Sequence, residues 1–294
     1  MNFSIRLKRY WISTAAIACF AAHGASAQER IESSSAAPPT VAALGPSEDV
    51  ERTSTSKLDS PLPSSSAADE REVSWRKLPV NFLHDQKDMW LFPVQLAKGH
   101  HLLPTALIVG GTAALIAADP QVMPHFRQTD TFHDFNRAIG TTSTGAFVAV
   151  VPAAFYVTSL IRKDTYGQHT ALFVGEALAD DAVLMTALKA ITRRQRPTEI
   201  ALTGSYSDTF FNSNGSMFGK GTSFPSGHAM MAFSVATIFS RRYPQHRWLP
   251  YVAYGLASAI AFSRVSGGSH FPSDAFIGAA LGYVVARFDV LHNH

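Results

Sequence analysis

Three short motifs near the C-terminal end of the 294-residue chain bring together cations, imidazoles and a carboxylate. They are Lys189–Pro197 (KAITRRQRP), Pro225–His228 (PSGH) and the segment Ser263–Asp274, which contains Arg264 and His270. Cations can neutralise the oxygens of a phosphoryl group, one imidazole can attack phosphorus, and a second can protonate the leaving group. A carboxylate can orient the attacking ring. No cluster of metal ligands accompanies the motifs, so we expect a metal-independent phosphomonoesterase that needs no cofactor.

The first motif offers two cations for one anion. Lys189 is predicted at the C-terminal end of a helix, and Arg196 follows in the loop that Pro197 closes. A lysine point charge and a planar arginine fork at this separation can bind the same tetrahedral anion. Taken alone, such a stretch is more often a solvated basic helix end, and we interpret Arg193 and Arg194 in that way.

The second motif predicts the start of a helix. Ser226 is a favourable N-cap, and Gly227 lets a ligand approach the backbone, so the first free N–H groups of the helix would face an anion. His228, in the first turn, could then reach an ester oxygen and donate a proton. The alternative, equally open from this motif alone, is a capped helix start with an incidental histidine.

The third motif places a histidine and a carboxylate across a helix start. Pro272 is a preferred first-turn residue, and Asp274 lies four residues after His270. The carboxylate could accept a hydrogen bond from one ring nitrogen and leave the other unprotonated as a nucleophile. Arg264 would supply the third cation. Such a pair is common by chance, so its weight comes from the other two motifs.

In this order the motifs resemble the three-part signature of the type-2 phosphatidic acid phosphatase superfamily. Every signature position is filled: Lys189, Arg196 and Pro197; Pro225, Ser226, Gly227 and His228; Ser263, Arg264, His270 and Asp274. The resemblance implies that His270 becomes a phosphohistidine, that Asp274 supports it, and that His228 protonates the leaving group and later activates water. It further implies that Lys189, Arg196, Arg264, Ser226 and the Gly227 N–H hold the phosphoryl oxygens, without a metal.

The resemblance leaves the substrate open. Phosphorylated lipids or prenyl diphosphates are the first expectation, and a soluble, broad-specificity periplasmic acid phosphatase is the alternative. Vanadium-dependent haloperoxidases share the architecture and are a more remote alternative, as is a helical protein without activity. Aromatic residues in the loop Thr198–Phe224 could either line an acyl or isoprenyl chain or pin the loop to the core.

Apolar blocks predict the helices that must position these motifs. They cover about 103–118, 143–162, 169–192, 227–241, 248–264 and 273–290, with breaks at Asp119-Pro120 and Gly140 among others. No alternating pattern suggests strands. We therefore expect an all-α bundle of about six core helices. One or two extra amphipathic helices are predicted between Trp75 and Ala97, anchored by Trp90, Leu91 and Phe92.

The N-terminal region differs from the rest in composition. Residues 1–27 have a basic start, a short apolar run and an Ala-Ser-Ala end, which predicts an export signal. Residues 28–72, rich in Ser, Pro and Ala, predict a disordered tether, and 73–294 form the helical domain. Cys19, the only cysteine, lies within the predicted signal. These features indicate export to the periplasm or the periplasmic face of the envelope.

Charge and hydropathy restrict the possible partners. The formal net charge of the whole chain is +3 and that of residues 73–294 is +5. This basic excess suits an anionic substrate or an anionic membrane surface, whereas the absence of a basic stripe argues against nucleic acid. The apolar blocks are shorter than the ~20 residues of a membrane span, and one contains Glu176, Asp180 and Asp181. This slightly favours a periplasmic or peripherally attached domain, while membrane association and oligomeric state stay open. We interpret the three acids as solvated or as parts of structural ion pairs.

Overall fold

The computed structural model describes residues 71, 73–212 and 222–291. The predicted signal peptide and, apart from Arg71, the predicted tether lie outside these residues. The described part forms eight α-helices and contains no strand, which confirms the predicted all-α fold. The helices are α1 (Leu78–Ala97), α2 (Leu102–Arg127), α3 (His133–Ala138), α4 (Thr141–Ile161), α5 (Thr165–Thr192), α6 (Gly227–Arg242), α7 (Leu249–Ser266) and α8 (Pro272–Val284). A 3-10 turn (Pro197–Glu199) follows α5, and a π-helical turn (Val285–Val290) follows α8.

Helix α6 lies at the centre of the bundle and packs against α5, α7 and α8. Small residues allow the close approach of α8: a Cβ added at Gly278 would overlap the carbonyl oxygen of Ser226, and one at Gly282 would overlap that of Met230. The backbone N–H of Ser226 donates to the carbonyl oxygen of Asp274 at 2.9 Å. The first turns of α6 and α8, which hold the second and third motifs, are therefore fixed side by side.

Helix α2 is longer than predicted, and the expected break at Asp119-Pro120 is wrong. The helix continues through Pro120 and Pro124 to Arg127. Asp119 is buried and accepts hydrogen bonds from the guanidinium of Arg194 (2.6 Å) and from the backbone N–H of Ser273 (3.2 Å). These contacts fix the helix at the position where the prolines alone would favour its end.

Helix α2 also has the length and composition of a membrane span. Its most apolar 18-residue window has a mean hydropathy of 1.7, and only 11% of that window is buried. The side chains of Leu103 and Leu107 are 71% and 66% exposed. A helix in the core of a soluble protein would bury such residues, so the described residues leave a large apolar face uncovered.

Helix α1 is attached mainly through a charged group. Of its predicted anchors, Trp90 and Leu91 are 52% and 42% exposed, so the prediction was wrong for these two, whereas Phe92 is half-buried and stacks on His101. The buried residue of α1 is Asp85. The guanidinium of Arg71 contacts Asp85 Oδ1 at 2.8 Å and Glu176 Oε1 of α5 at 3.1 Å. Arg71 thereby links α1 to α5, and the carboxylate of Asp85 supplies the negative charge that a buried guanidinium requires.

Candidate active site

The three motifs meet where α5 and α7 end and where α6 and α8 begin. His228, in the first turn of α6, lies within the electrostatic reach of the other groups. Burial first, and then nearby charge, lower the pKa of His228 to about 4. The neighbouring groups are Arg264, His270, Lys189 and Arg196. The structure therefore brings both histidines and all three predicted cations into one cluster.

The ring of His270 is held by a backbone carbonyl. Its Nδ1 lies 2.7 Å from the carbonyl oxygen of Ser223 and 3.7 Å from Oδ2 of Asp274. A carbonyl oxygen only accepts hydrogen bonds, so Nδ1 carries the hydrogen and Nε2 of the neutral ring keeps a free lone pair. Burial lowers the pKa of His270, although Asp274 opposes this effect. The neutral ring is the form that can attack an electrophile.

Asp274 orients His270 indirectly, through Ser223, and not by the direct hydrogen bond that the sequence predicted. We expected its carboxylate to accept directly from His270, but Oδ2 instead accepts from the hydroxyl of Ser223 and from the backbone N–H of Phe271 at 2.8 Å. Burial would raise the pKa of Asp274, but its hydrogen bonds and the positive charge of Arg194 outweigh this effect and lower the pKa. The ionised carboxylate therefore fixes Ser223, whose carbonyl orients His270.

Arg194 is a residue whose role the sequence interpretation missed. We expected a solvated arginine, yet its side chain is 1% exposed. Its Nη1 contacts Asp274 Oδ1 at 2.7 Å, and its Nη2 contacts Asp119 Oδ2 at 2.6 Å. Its guanidinium also lies over the ring of Phe271, 3.9 Å from the centroid. The sequence contains no signal for this role, because Asp119 and Asp274 lie 75 and 80 residues away. Arg193 is exposed, as expected.

Lys189 and Arg196 have donors available for an anion. The ammonium of Lys189 donates to the carbonyl oxygen of Thr222 at 2.9 Å, which leaves two of its three hydrogens. Burial and the charge of Arg196 lower the pKa of Lys189 to about 8. The Nε of Arg196 is buried and has no hydrogen-bond partner among the described residues. Such an unmet donor is costly unless a ligand satisfies it.

Ser226 and Gly227 occupy the predicted positions for partly different reasons. Ser226 is the N-cap residue of α6, but its side chain makes no cap hydrogen bond. Its buried Oγ has no partner within the described part of the chain. A Cβ at Gly227 would overlap the sulfur of Met185, so this glycine serves the contact between α5 and α6. The hydroxyl of Ser226 is therefore the polar group that the motif leaves available for a ligand.

Arg264, the third predicted cation, is almost fully buried. Its Nε donates to the hydroxyl of Ser263 at 3.2 Å, and its Nη2 donates to the carbonyl oxygen of Ile139 at 3.1 Å. Ser263 Oγ donates to the same carbonyl group at 3.1 Å. The end of α7 is thereby joined to the connection between α3 and α4, and the direction of the guanidinium is fixed.

Two aromatic residues of the loop Thr198–Phe224, Tyr206 and Phe210, contact the core. Tyr206 is buried and packs against Phe271, and Phe210 packs against Phe224 and over the guanidinium of Arg194. Phe211, in contrast, is exposed. Residues 213–221 of this loop lie outside the described part. Tyr206 and Phe210 therefore pin the loop to the core.

The cluster is built from cations and imidazoles rather than from metal ligands. Among the described residues, no three His, Cys, Asp or Glu side chains form a group that could hold a metal ion. The arrangement instead combines a neutral imidazole, a second imidazole, three cations and the start of α6. This combination can bind a tetrahedral anion and transfer a group to Nε2 of His270.

Comparisons with known proteins match this part of the chain. The family model described as the PAP2 superfamily matches residues 170–291. The lipid A 1-phosphatase of Porphyromonas gingivalis is 38% identical over 66 residues, which are 22% of this chain and 15% of that protein. The chain thus matches only a small part of this curated relative.

Two crystal structures are also similar. LpxE of Aquifex aeolicus shows 21% identity and a TM-score of 0.38, with 62% of this chain and 93% of that chain covered. A transmembrane PAP2-type phosphatidylglycerolphosphate phosphatase of Bacillus subtilis shows 22% identity and a TM-score of 0.39, with 71% and 92% covered.

Proposed function

We propose that the protein is a metal-independent phosphatase that hydrolyses phosphate monoesters through a phosphohistidine. The match of residues 170–291 to the family model of the PAP2 superfamily supports this proposal. The observation that carries the proposal is the 2.7 Å contact between His270 Nδ1 and the Ser223 carbonyl oxygen. This contact selects the tautomer with a free lone pair on Nε2, which is the form that can attack phosphorus.

In the first step, Nε2 of His270 attacks phosphorus in line with the ester bond. The P–N bond forms while the P–O bond to the leaving group breaks, and the electron pair of that bond stays on the leaving oxygen. His228 donates a proton to this oxygen, so the leaving group departs as an alcohol. The positive charge that develops on His270 is stabilised through the Ser223 carbonyl and the Asp274 carboxylate.

In the second step, water attacks the phosphohistidine. His228, now neutral, accepts a proton from the water, whose oxygen bonds to phosphorus as the P–N bond breaks. Inorganic phosphate leaves, and the electron pair returns to Nε2 of His270. Both histidines then regain their starting protonation states.

The charge of the phosphoryl group is balanced by groups of the protein in this proposal. Lys189, Arg196 and Arg264 would hold the oxygens, together with the Ser226 hydroxyl and the backbone N–H of Gly227. Within the described part of the chain, the buried Nε of Arg196 and Oγ of Ser226 have no hydrogen-bond partner, which supports this role. Phosphoryl transfer passes through a transition state whose charge is spread over these oxygens, so fixed cations are the main catalytic contribution.

The binding of a substrate phosphate explains how His228 can donate a proton in spite of its low pKa in the free enzyme. The value of about 4 arises from burial and from the surrounding cations. A bound phosphate dianion neutralises those cations and raises the pKa of the imidazole, so His228 can be protonated when the ester bond breaks. The complex of a phosphate dianion with protonated His228 also forms when a substrate monoanion transfers its proton to the neutral imidazole of His228.

A lipid phosphate is the substrate class that the uncovered apolar surface favours. We propose that α2, with its exposed leucines, attaches the protein to a membrane, so that the site lies at the membrane surface and acts on phosphorylated lipids there. The short match to a lipid A 1-phosphatase supports this class of substrate. Export to the periplasm, predicted from residues 1–27, stays a part of this proposal.

The test is phosphate release by the full chain in EDTA, with dioctanoyl phosphatidate and phenyl phosphate as parallel substrates. His270→Ala should reduce release from both to background while the protein stays folded, and His270→Gln should do the same. Brief reaction with ³²P-labelled substrate should label the wild type with an acid-labile, base-stable phosphate. Activity of His270→Ala, or labelling that survives this substitution, would contradict the mechanism, and faster release from phenyl phosphate would favour the broad-specificity alternative.

A further inference from the structure

A cavity beside the proposed catalytic site is not used by the mechanism above. It has a volume of about 290 Å³ and lies between the end of α2, helix α3 and the turn after α7. Its lining includes Phe126, Arg127, Asp130, His133, Asn136 and Gly268. A phosphate or carboxylate group with part of its carrier fits within this volume.

The cavity adjoins the segment between Arg264 and His270 and the segment that follows Arg196. Gly268 lies between Arg264 and His270, and a Cβ added there would lie 3.0 Å from Cδ and 3.5 Å from Nη1 of Arg127. The same Cβ would lie 3.5 Å from Cγ2 of Thr198, two residues after Arg196. The φ of +68° at Gly268 also favours glycine. Arg127 is therefore packed directly against the edge of the phosphoryl site.

The guanidinium of Arg127 is poorly satisfied by the protein. Its Nη2 donates to the carbonyl oxygen of Ile200 over a long 3.4 Å, and its buried Nε has no hydrogen-bond partner among the described residues. The described part of the chain also offers it no ion pair. Asp130, in the same lining, is exposed, so its charge is screened by solvent. A partly buried cation with an unmet donor gains from an anionic ligand.

Asn136 adds neutral donors to the same cavity. Its Oδ1 accepts from the hydroxyl of Ser266 at 2.7 Å, and this bond fixes the orientation of the amide. The Nδ2 hydrogens have no partner within the described residues. Together with Arg127, the cavity therefore contains a cation and free N–H donors. These are the groups that proteins use to bind phosphate or carboxylate.

We propose that this cavity binds a second anionic group, a phosphate or carboxylate carried by the leaving group of the substrate, and that Arg127 determines this specificity. The inference rests on the proposed phosphatase function and narrows its substrate class to phosphate monoesters with a second negative charge. The transferred phosphoryl group occupies the cluster around His270, while the second anion occupies the cavity at Arg127. Arg127 is a specificity-determining residue and takes no part in bond cleavage.

The test compares alkane-α,ω-diol bisphosphates with two to six carbons against alkyl monophosphates of the same lengths, using the full chain. The wild type should show a kcat/KM for the best bisphosphate about ten to a hundred times that for its monophosphate, as expected for a charge-assisted arginine contact. This exceeds the factor of about two that follows from two reactive ends. The best chain length reports the distance between the two anion sites.

Substitution of Arg127 separates recognition from a structural role. Arg127→Gln should remove the preference and leave monophosphate hydrolysis within about twofold of the wild type, and Arg127→Lys should retain part of the preference because the charge remains. The matched control is Arg137→Gln, at an exposed arginine of α3 outside the cavity lining, which should keep the full preference. Equal losses on both substrates, or an unchanged preference in Arg127→Gln, would overturn the inference.

Failure of the proposed function would be visible separately. If the wild type hydrolyses none of these compounds, the phosphatase proposal fails. A binding measurement with the same compounds then tests whether the cavity holds a second anion. The bisphosphate should then raise the melting temperature of the wild type more than the monophosphate does, and Arg127→Gln should abolish the difference. Equal stabilisation of the wild type by both compounds would refute the second anion site.

Discussion

Arg194 Nη1 lies 2.7 Å from Oδ1 of Asp274, and both side chains are buried. The same guanidinium contacts Asp119 of α2 at 2.6 Å, so one arginine joins the segment after α5, the start of α8 and the C-terminal half of α2. This contact keeps Asp274 ionised and holds it where it orients Ser223. The stability of the fold and the geometry around His270 therefore depend on the same residue.

Replacing Arg194 should destabilise the protein strongly. Arg194→Met leaves two buried carboxylates without their cation, and removal of one partner from such a group costs about 3–5 kcal/mol. Chemical denaturation of the purified protein measures this loss. The matched control Arg247→Met, at an exposed arginine, should change the free energy of unfolding by less than about 0.5 kcal/mol. Similar effects of the two substitutions would show that the buried ion pairs contribute little.

The contribution of His228 should depend on the leaving group. An alkyl leaving group needs a proton, whereas 4-nitrophenolate leaves readily without one. His228→Ala should therefore reduce the rate for an alkyl phosphate by about 10²–10⁴-fold, and the rate for 4-nitrophenyl phosphate by a much smaller factor. Steady-state kinetics with both substrates, under conditions in which the first step limits turnover, measure the ratio. An equal loss on both substrates would assign His228 to binding rather than to proton donation.

The fall in activity toward alkaline pH should become steeper because of Lys189. Burial and the charge of Arg196 lower the pKa of Lys189 to about 8, so the free enzyme loses this cation as the pH rises through that value. Loss of the proton that His228 donates already lowers kcat/KM as the pH rises, and we expect a steeper fall above a pH of about 8, because a neutral amine binds a phosphoryl oxygen more weakly. Arginine keeps its charge in this range, so Lys189→Arg should remove the added steepness even if its rate is lower. A profile of unchanged shape in the variant would exclude Lys189 as the cause.

The buried acids of α5 should make the free energy of unfolding dependent on pH. Burial raises the pKa of Asp180 to about 8 and the pKa values of Glu176 and Asp181 to about 7. These groups keep their protons in the folded state at pH values where the unfolded chain, with carboxyl pKa values of about 4, has released them. Their contribution to stability is therefore largest at low pH and is lost as the pH rises from about 4 toward 8.

Asp180→Asn tests this relationship because asparagine resembles the protonated acid and can still accept from Gln86, whose Nε2 lies 2.9 Å from Oδ1. The variant should melt at a higher temperature than the wild type at pH 8, and the difference should vanish near pH 4. Asp134→Asn, at an exposed position of α3, should show no such dependence. A constant difference across the range would mean that Asp180 is ionised in the folded protein.

The apolar face of α2 should keep the protein in the membrane. We expect the chain to stay in the membrane pellet after carbonate extraction, even when residues 1–27 are exchanged for an unrelated, cleavable export signal. The exchange removes any contribution of the original N-terminal segment to anchoring. Asn substitutions at Leu103 and Leu107, the most exposed leucines of α2, should shift the protein toward the soluble fraction because amide groups in a bilayer are costly. Release of the wild type by carbonate would refute attachment through α2.

Helix boundaries were predictable where local signals agree with packing. Gly140, Ser226 and Pro272 mark helix starts that the structure places within a residue or two of the prediction. The prediction failed at Pro120, where contacts from distant residues hold a helix together against the local preference. It also failed at Trp90, because a large apolar side chain need not be buried when the uncovered surface of a protein is itself apolar.

The sequence by itself determined the all-α class and the identity of the residues that form the cluster, because both depend on local periodicity and on short motifs. Only the tertiary structure decided how these residues act on one another. In the folded protein, Nδ1 of His270 contacts the carbonyl oxygen of Ser223, and Asp274 accepts a hydrogen bond from the hydroxyl of Ser223. Arg194 is buried between Asp119 and Asp274. These contacts join residues that lie tens of positions apart, and burial sets their strength, so no local pattern of side chains could specify them.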